Sequence, residues 1–93
     1  MTESLIQSKI IKHLESIGAY VIKTISTNKA GVPDLLVCYK GLFIGIEVKR
    51  PETKNKVSKL QGHHLAKIEQ AEGLSMVAWN VEMVKEFIEE FIS

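Results

Sequence analysis

Apolar residues first recur at helical spacing. Leu5, Ile6, Ile10, Ile11, Leu14 and Ile17 predict a helix over residues 3–17, with Thr2 as N-cap and Gly18 as the stop. The pattern then changes to β-prone runs. Ala19–Ser26 predicts a first strand, and residues 27–33 a polar loop whose Pro33 suits a strand start. Leu35–Tyr39 and Leu42–Val48 flank Lys40-Gly41, which predicts a β-hairpin. Arg50 to Val57 is a charged loop in which Pro51 ends pairing. Ser58 caps a second helix running to about Glu72, with Leu60, His64, Leu65, Ile68 and Ala71 as its apolar stripe and Gly73 as its close. Leu74–Asn80 predicts a fourth strand. Val81–Ile92 predicts a last helix, Val84, Phe87, Ile88 and Phe91 inward and Glu86, Glu89 and Glu90 outward. The order is α-β-β-β-α-β-α, one domain over 1–93.

A two-residue turn at Lys40-Gly41 sets the hairpin register. Leu36 then faces Gly45, Leu35 faces Ile46 and Asp34 faces Glu47. Side chains alternate, so Asp34, Leu36 and Cys38 share a face with Phe43, Gly45, Glu47 and Lys49. Two carboxylates opposed at the end of an apolar hairpin repel. At least one pKa should rise, and metal affinity should weaken as pH falls. A divalent cation would compensate, and two carboxylates with nearby carbonyls make the hard oxygen site that Mg²⁺ prefers. The alternative is a surface Asp beside a Glu-Lys pair on an exposed edge.

At 93 residues, 45% hydrophobic and 25% charged, the composition is that of an ordinary globular domain. No apolar run reaches the roughly 20 residues of a membrane span, and no secretion signal stands at the N-terminus. One cysteine, Cys38, excludes an internal disulfide and a zinc site built on paired cysteines. The net charge is only +1, yet Lys49, Arg50, Lys54, Lys56 and Lys59 crowd one segment against Glu52 alone. Such a segment beside paired carboxylates could bring an anionic polymer to a metal; a solvated loop is the plainer reading.

Other residues read as structure. His63 and His64 point about 100° apart on a helix, and His13 is distant, so these histidines are read as structural or solvated. Cys38, among apolar neighbours, is read as a buried thiol. Trp79 is read as core or subunit interface rather than a base-stacking platform. Glu3 and Gln7 extend the first helix's apolar stripe and are either aimed inward or part of an exposed helix start. No glycine-rich phosphate loop is present.

Pro33-Asp34 followed by Glu47-Val48-Lys49 resembles the PD-(D/E)XK nuclease motif. With Glu3 and Gln7 on a first helix, Gly31-Val32-Pro33-Asp34, Gly45-Ile46-Glu47-Val48-Lys49-Arg50 and Leu60-Gln61, nearly the whole chain is similar to the VRR-NUC (virus-type replication-repair nuclease) domain, as a stand-alone phage or bacterial member. The resemblance implies an α/β fold with a restriction-endonuclease-like core, a central mixed four-stranded sheet flanked by helices. It implies metal-dependent phosphodiester hydrolysis with Mg²⁺ or Mn²⁺. Asp34, Glu47 and the main-chain carbonyl of Val48 would be metal ligands, and Glu3 a further acid acting directly or through a water. Lys49 would be the catalytic lysine, with Gln61 positioning water or phosphate. Lys29, Arg50, Lys54, Lys56 and Lys59 would meet the nucleic acid.

Small stand-alone members resemble Holliday-junction resolvases, which implies branched DNA as substrate and a homodimer, with the last helix, the fourth strand and Trp79 as candidate interface. Two-fold symmetry would supply two sites for two related strands. No membrane partner is expected, and the expected location is the cytoplasm of a bacterial or phage-infected cell. The competing readings are a nucleic-acid-binding subunit of a repair or recombination assembly, with weak or no cleavage, and a small interaction domain.

Overall fold

The computed structural model describes residues 1–92. Helix α1 (Glu3–Ser16) is followed by strands β1 (Tyr20–Lys23), β2 (Leu35–Tyr39) and β3 (Leu42–Val48). Helix α2 (Lys59–Gln70), strand β4 (Leu74–Ala78) and helix α3 (Val81–Phe91) complete the chain, with a 3-10 turn at Pro51–Thr53. Each helix starts on a side-chain cap. Thr2 Oγ1 accepts from Leu5 N at 3.1 Å and Asn80 Oδ1 from Met83 N at 2.9 Å. Ser58 Oγ accepts from Gln61 N at 3.1 Å.

The four strands form one sheet in the order β1-β2-β3-β4. The first three are antiparallel neighbours, and β4 joins β3 in parallel through the α2 crossover. Leu36 opposes Gly45, Leu35 opposes Ile46 and Tyr39 opposes Leu42, the register that the alternation predicts. The turn has positive φ at both Lys40 (51°) and Gly41 (78°), the twist that matches flanking strands.

One sheet face carries the core. Leu35, Val37, Ile44, Ile46, Val48 and Ala78 pack against Ile6, Ile10 and Leu14 of α1 and Val84 and Ile88 of α3. The other face receives α2 alone. A Cβ on Gly45 would lie 2.5 Å from Ile68 Cδ1 and 3.1 Å from Pro33 Cγ, so any side chain there requires Ile68 to move. Because α2 sits over β3 and β4, it leaves the β1–β2 half of that face open.

That asymmetry corrects several expectations. Cys38 is exposed rather than a buried thiol, with Tyr20 and Ile22 exposed beside it, because no helix crosses β1 and β2 on that side. Leu60 and Ala71 of the predicted α2 stripe are exposed, and none of its residues is fully buried. Phe91 is exposed near the C-terminal end of α3, and Phe87 is half-buried. The first strand spans only Tyr20–Lys23. Beyond it the Thr24 hydroxyl turns to the carbonyls of Pro33 and Asp34, at 2.9 and 3.1 Å, and closes the base of a loop. Glu72, not Gly73, takes the left-handed conformation after α2, at φ 71°. Gly73 is required for space, since its Cβ would meet Ile68 Cγ2 at 2.8 Å and the Phe43 carbonyl at 3.1 Å.

Replacing Gly45 by Val should push α2 off the sheet and cost roughly 1–3 kcal/mol by overpacking. Urea denaturation would read this as a lower midpoint.

Candidate active site

The ladder between β2 and β3 ends at Leu35 and Ile46. Val48 lies two residues beyond that pair, and its N–H donates to Asp34 Oδ2 at 2.8 Å. The adjacent Lys49 N–H points the other way and donates to Ala78 O at 3.0 Å. The Asp34 carboxylate thus takes the place of a ladder partner, which holds it against the end of β3. By strand geometry the N–H and C=O of one residue leave on the same side, so the Val48 carbonyl faces Asp34 as well.

Glu47 lies on the central strand with its side chain 4% exposed. Gln61 Nε2 donates to Glu47 Oε2 at 3.1 Å, and Gln61 Oε1 accepts from Lys49 Nζ at 3.2 Å. Lys49 Nζ stands 3.7 Å from the same Glu47 oxygen. Burial pushes the Glu47 carboxyl from its ordinary 4.5 up to about 8. Asp34 pushes in the same direction by its charge and by a hydrogen bond between the two side chains, as does the charge of Glu3, while Lys49 opposes them. The Glu47 carboxyl therefore favours its protonated form in the metal-free protein, the rise in pKa that the register predicts for one of the pair.

The fold brings together Asp34, Glu47, Lys49 and Gln61. Glu3 is half-buried in the first turn of α1, close enough for its charge to act on Glu47. It does not complete a ligand cluster: no group of three His, Cys, Asp or Glu among the described residues is placed to hold a metal. Gln7, one turn on, is buried, and its Oε1 has no hydrogen-bond partner, which favours the inward reading of this helix face. The donor set fits a hard cation nonetheless. Two carboxylates and a carbonyl suffice for Mg²⁺, which keeps several waters, and a buried acid that holds its proton to about pH 8 is one a cation would ionise.

The basic residues divide. Lys29 is exposed on the loop between β1 and β2, whose Gly31 packs under Leu60. Arg50 is exposed and paired with Glu52 at 3.8 Å. Lys54, Lys56 and Lys59 are exposed and make no ion pair among the described residues. Gln61 has a second role that residue spacing alone does not reveal. It is also the third residue of α2, where its Oε1 accepts from Ser58 N at 2.9 Å and closes a capping box. The signal, Ser58-x-x-Gln61, stands in the sequence. His63 and His64 meet edge to face, with centroids 5.5 Å apart and no acid or thiol grouped with them.

A mixed sheet carries paired acids and a lysine at the end of its central strand, an arrangement that accords with a nuclease-type α/β domain. The profile of the VRR-NUC domain matches residues 1–82, and the chain belongs to that family. A solved VRR-NUC domain is similar over 96% of this chain and 96% of its own, with a TM-score of 0.80 and 25% identity. No curated protein matches the chain.

Two measurements follow from this geometry. Between pH 4.5 and about 8 the folded metal-free protein holds a proton at Glu47 that the unfolded chain has released. Stability from this group therefore falls as pH rises through that window. The melting temperature of wild type minus that of Glu47→Gln should decline from about pH 5 to about pH 9 and be partly restored by Mg²⁺. Gln61→Ala removes a cap and a partner of two charged groups, so it should cost about 1–3 kcal/mol in urea denaturation.

Proposed function

We propose that the protein is a metal-dependent, structure-selective DNA endonuclease that hydrolyses phosphodiester bonds in branched DNA such as four-way junctions. The observation that carries the reading is the connected set Asp34, Glu47, Lys49 and Gln61 at one end of the central strand. Asp34, Glu47 and the Val48 carbonyl would hold Mg²⁺ or Mn²⁺, with Glu3 acting through a water. The cation supplies charge neutralisation at the phosphate and a more acidic bound water.

The chain's own groups do the rest. Lys49 is held by Gln61 and Glu47, so its ammonium is pre-aimed to donate to a phosphate oxygen or the attacking water, with little reorganisation during the reaction. Gln61 spans both charged groups and fixes their separation. Val48 N–H keeps the Asp34 carboxylate in a single orientation. Lys29, Arg50, Lys54, Lys56 and Lys59 would neutralise phosphates along the bound strand and make affinity salt-dependent. Nothing in the set reads base edges, so recognition is by shape and backbone.

Two strands of a junction call for two sites, which supports a homodimer, with α3 and the free edge of β4 as candidate contacts. The protein would act in the cytoplasm of a bacterial or phage-infected cell. The exposed lysines by themselves also support a second reading, a binding subunit of a repair or recombination assembly. It requires DNA binding in chelator with no turnover in Mg²⁺ or Mn²⁺.

The deciding assay is cleavage of labelled four-way junction, flap, duplex and single-stranded DNA in Mg²⁺ or Mn²⁺. Asp34→Ala and Lys49→Ala should each lower the rate by about 10²-fold or more with folding retained. Equal cleavage by either variant defeats the assignment. Paired, symmetric cuts in the junction should accompany a dimeric mass in light scattering.

A further inference from the structure

Trp79 directly follows β4, next to the residue whose carbonyl accepts from Lys49 N at 3.0 Å. Val77 pairs with Glu47 and Ala78 with Val48. Continuing that alternation places Trp79 on the Glu47 and Lys49 side of the sheet. Its main chain is fixed there, since Trp79 N–H donates to Met83 Sδ at 3.4 Å. The half-buried ring has Lys54 Nζ over it, 5.2 Å from the centroid.

Lys54 belongs to the segment between Arg50 and Ser58, and both ends of that segment are tied to the site. It begins immediately after Lys49, the residue that follows β3. It ends at Ser58, whose side chain and N–H both bond Gln61. Internal turns from Thr53 N to Arg50 O and from Lys56 N to Thr53 O shape it, at 3.0 and 2.9 Å. The Trp79 ring is a contact on its middle, beyond the segment itself. Lys54 makes no ion pair with an acid among the described residues, so its charge is not neutralised by one.

We propose that Trp79 is a positioning residue whose ring holds Lys54, and with it residues 50–58, as a phosphate-contacting wall beside the Asp34–Glu47 site. The partner is a nucleic-acid backbone, and the inference deepens the nuclease reading on which it rests. Two properties of the pair support it. An aromatic face attracts an ammonium without neutralising it, so the lysine is ordered yet still available to a phosphate. A ring beside a basic track is also the combination that single-stranded nucleic acid meets on its binding proteins.

Trp79 is the sole tryptophan, so its emission reports on this wall. The probes are a four-way DNA junction and a (dT)₂₀ strand, titrated in chelator over a series of salt concentrations. DNA should change the Trp79 emission. Lys54→Ala should weaken binding severalfold and lower the slope of log affinity against log salt by about 1. Trp79→Phe should retain wild-type affinity and slope. Trp79→Ala should match Lys54→Ala, and the double variant should lose nothing more.

Unchanged emission with full DNA binding, or wild-type affinity and slope in Lys54→Ala, overturns the proposal while leaving the nuclease reading intact. A change from dimer to monomer in Trp79→Ala also overturns it, since the ring then belongs to a subunit contact. The expected emission and salt effects in a protein that cuts no DNA would sustain the wall and defeat the nuclease reading. Absence of any DNA binding defeats both.

Discussion

A carboxyl group buried on the central strand is the constraint that the site depends on. Glu47 is shut away from water, so it must be protonated, paired or metal-bound. Each neighbour answers one of those needs. Asp34 hydrogen-bonds it, Lys49 supplies a positive charge and Gln61 donates to it. Asp34 can do this because Val48 N–H holds it in place where the hairpin ladder runs out. The same features that make the site costly without a cation make it receptive to one.

Gln61 couples this chemistry to the fold. Its carbonyl oxygen serves the backbone of Ser58 and the Lys49 ammonium together, and its amide serves Glu47. The start of α2 and the charges of the site are therefore one hydrogen-bonded unit. Glycine at position 45 lets α2 pack closely here, because a side chain there would meet the end of Ile68. Packing on the otherwise sparse face thus sets the reach of a glutamine about one helix turn from the cap.

The hairpin was legible because local rules agreed. Alternation, a turn with glycine in second place and strong β formers on both sides all require the same register, which ends with Asp34 beside Glu47. Helix starts at Thr2 and Ser58 were legible from their caps. The misreadings share one cause. Cys38, Ala71 and Phe91 have apolar or small side chains at regular spacing yet stay exposed, and Leu60 meets only the loop at Gly31. Periodicity shows which residues share a face; it does not show whether another layer exists there. Glu72 and Gly73 make the same point, because the left-handed turn and the tight contact fall on adjacent residues and only the packing assigns them.

The sequence by itself determined the order of elements, the hairpin register and the nuclease motif, since these depend on near-neighbour spacing along the chain. The tertiary structure decided the rest. It chose which half of the sheet α2 covers, joined Gln61 to Lys49 and Glu47 across 12 and 14 residues, and set Lys54 over Trp79. It also kept Glu3 out of a three-acid cluster. Such meetings depend on how elements far apart in the chain pack in three dimensions, and no local pattern encodes that distance.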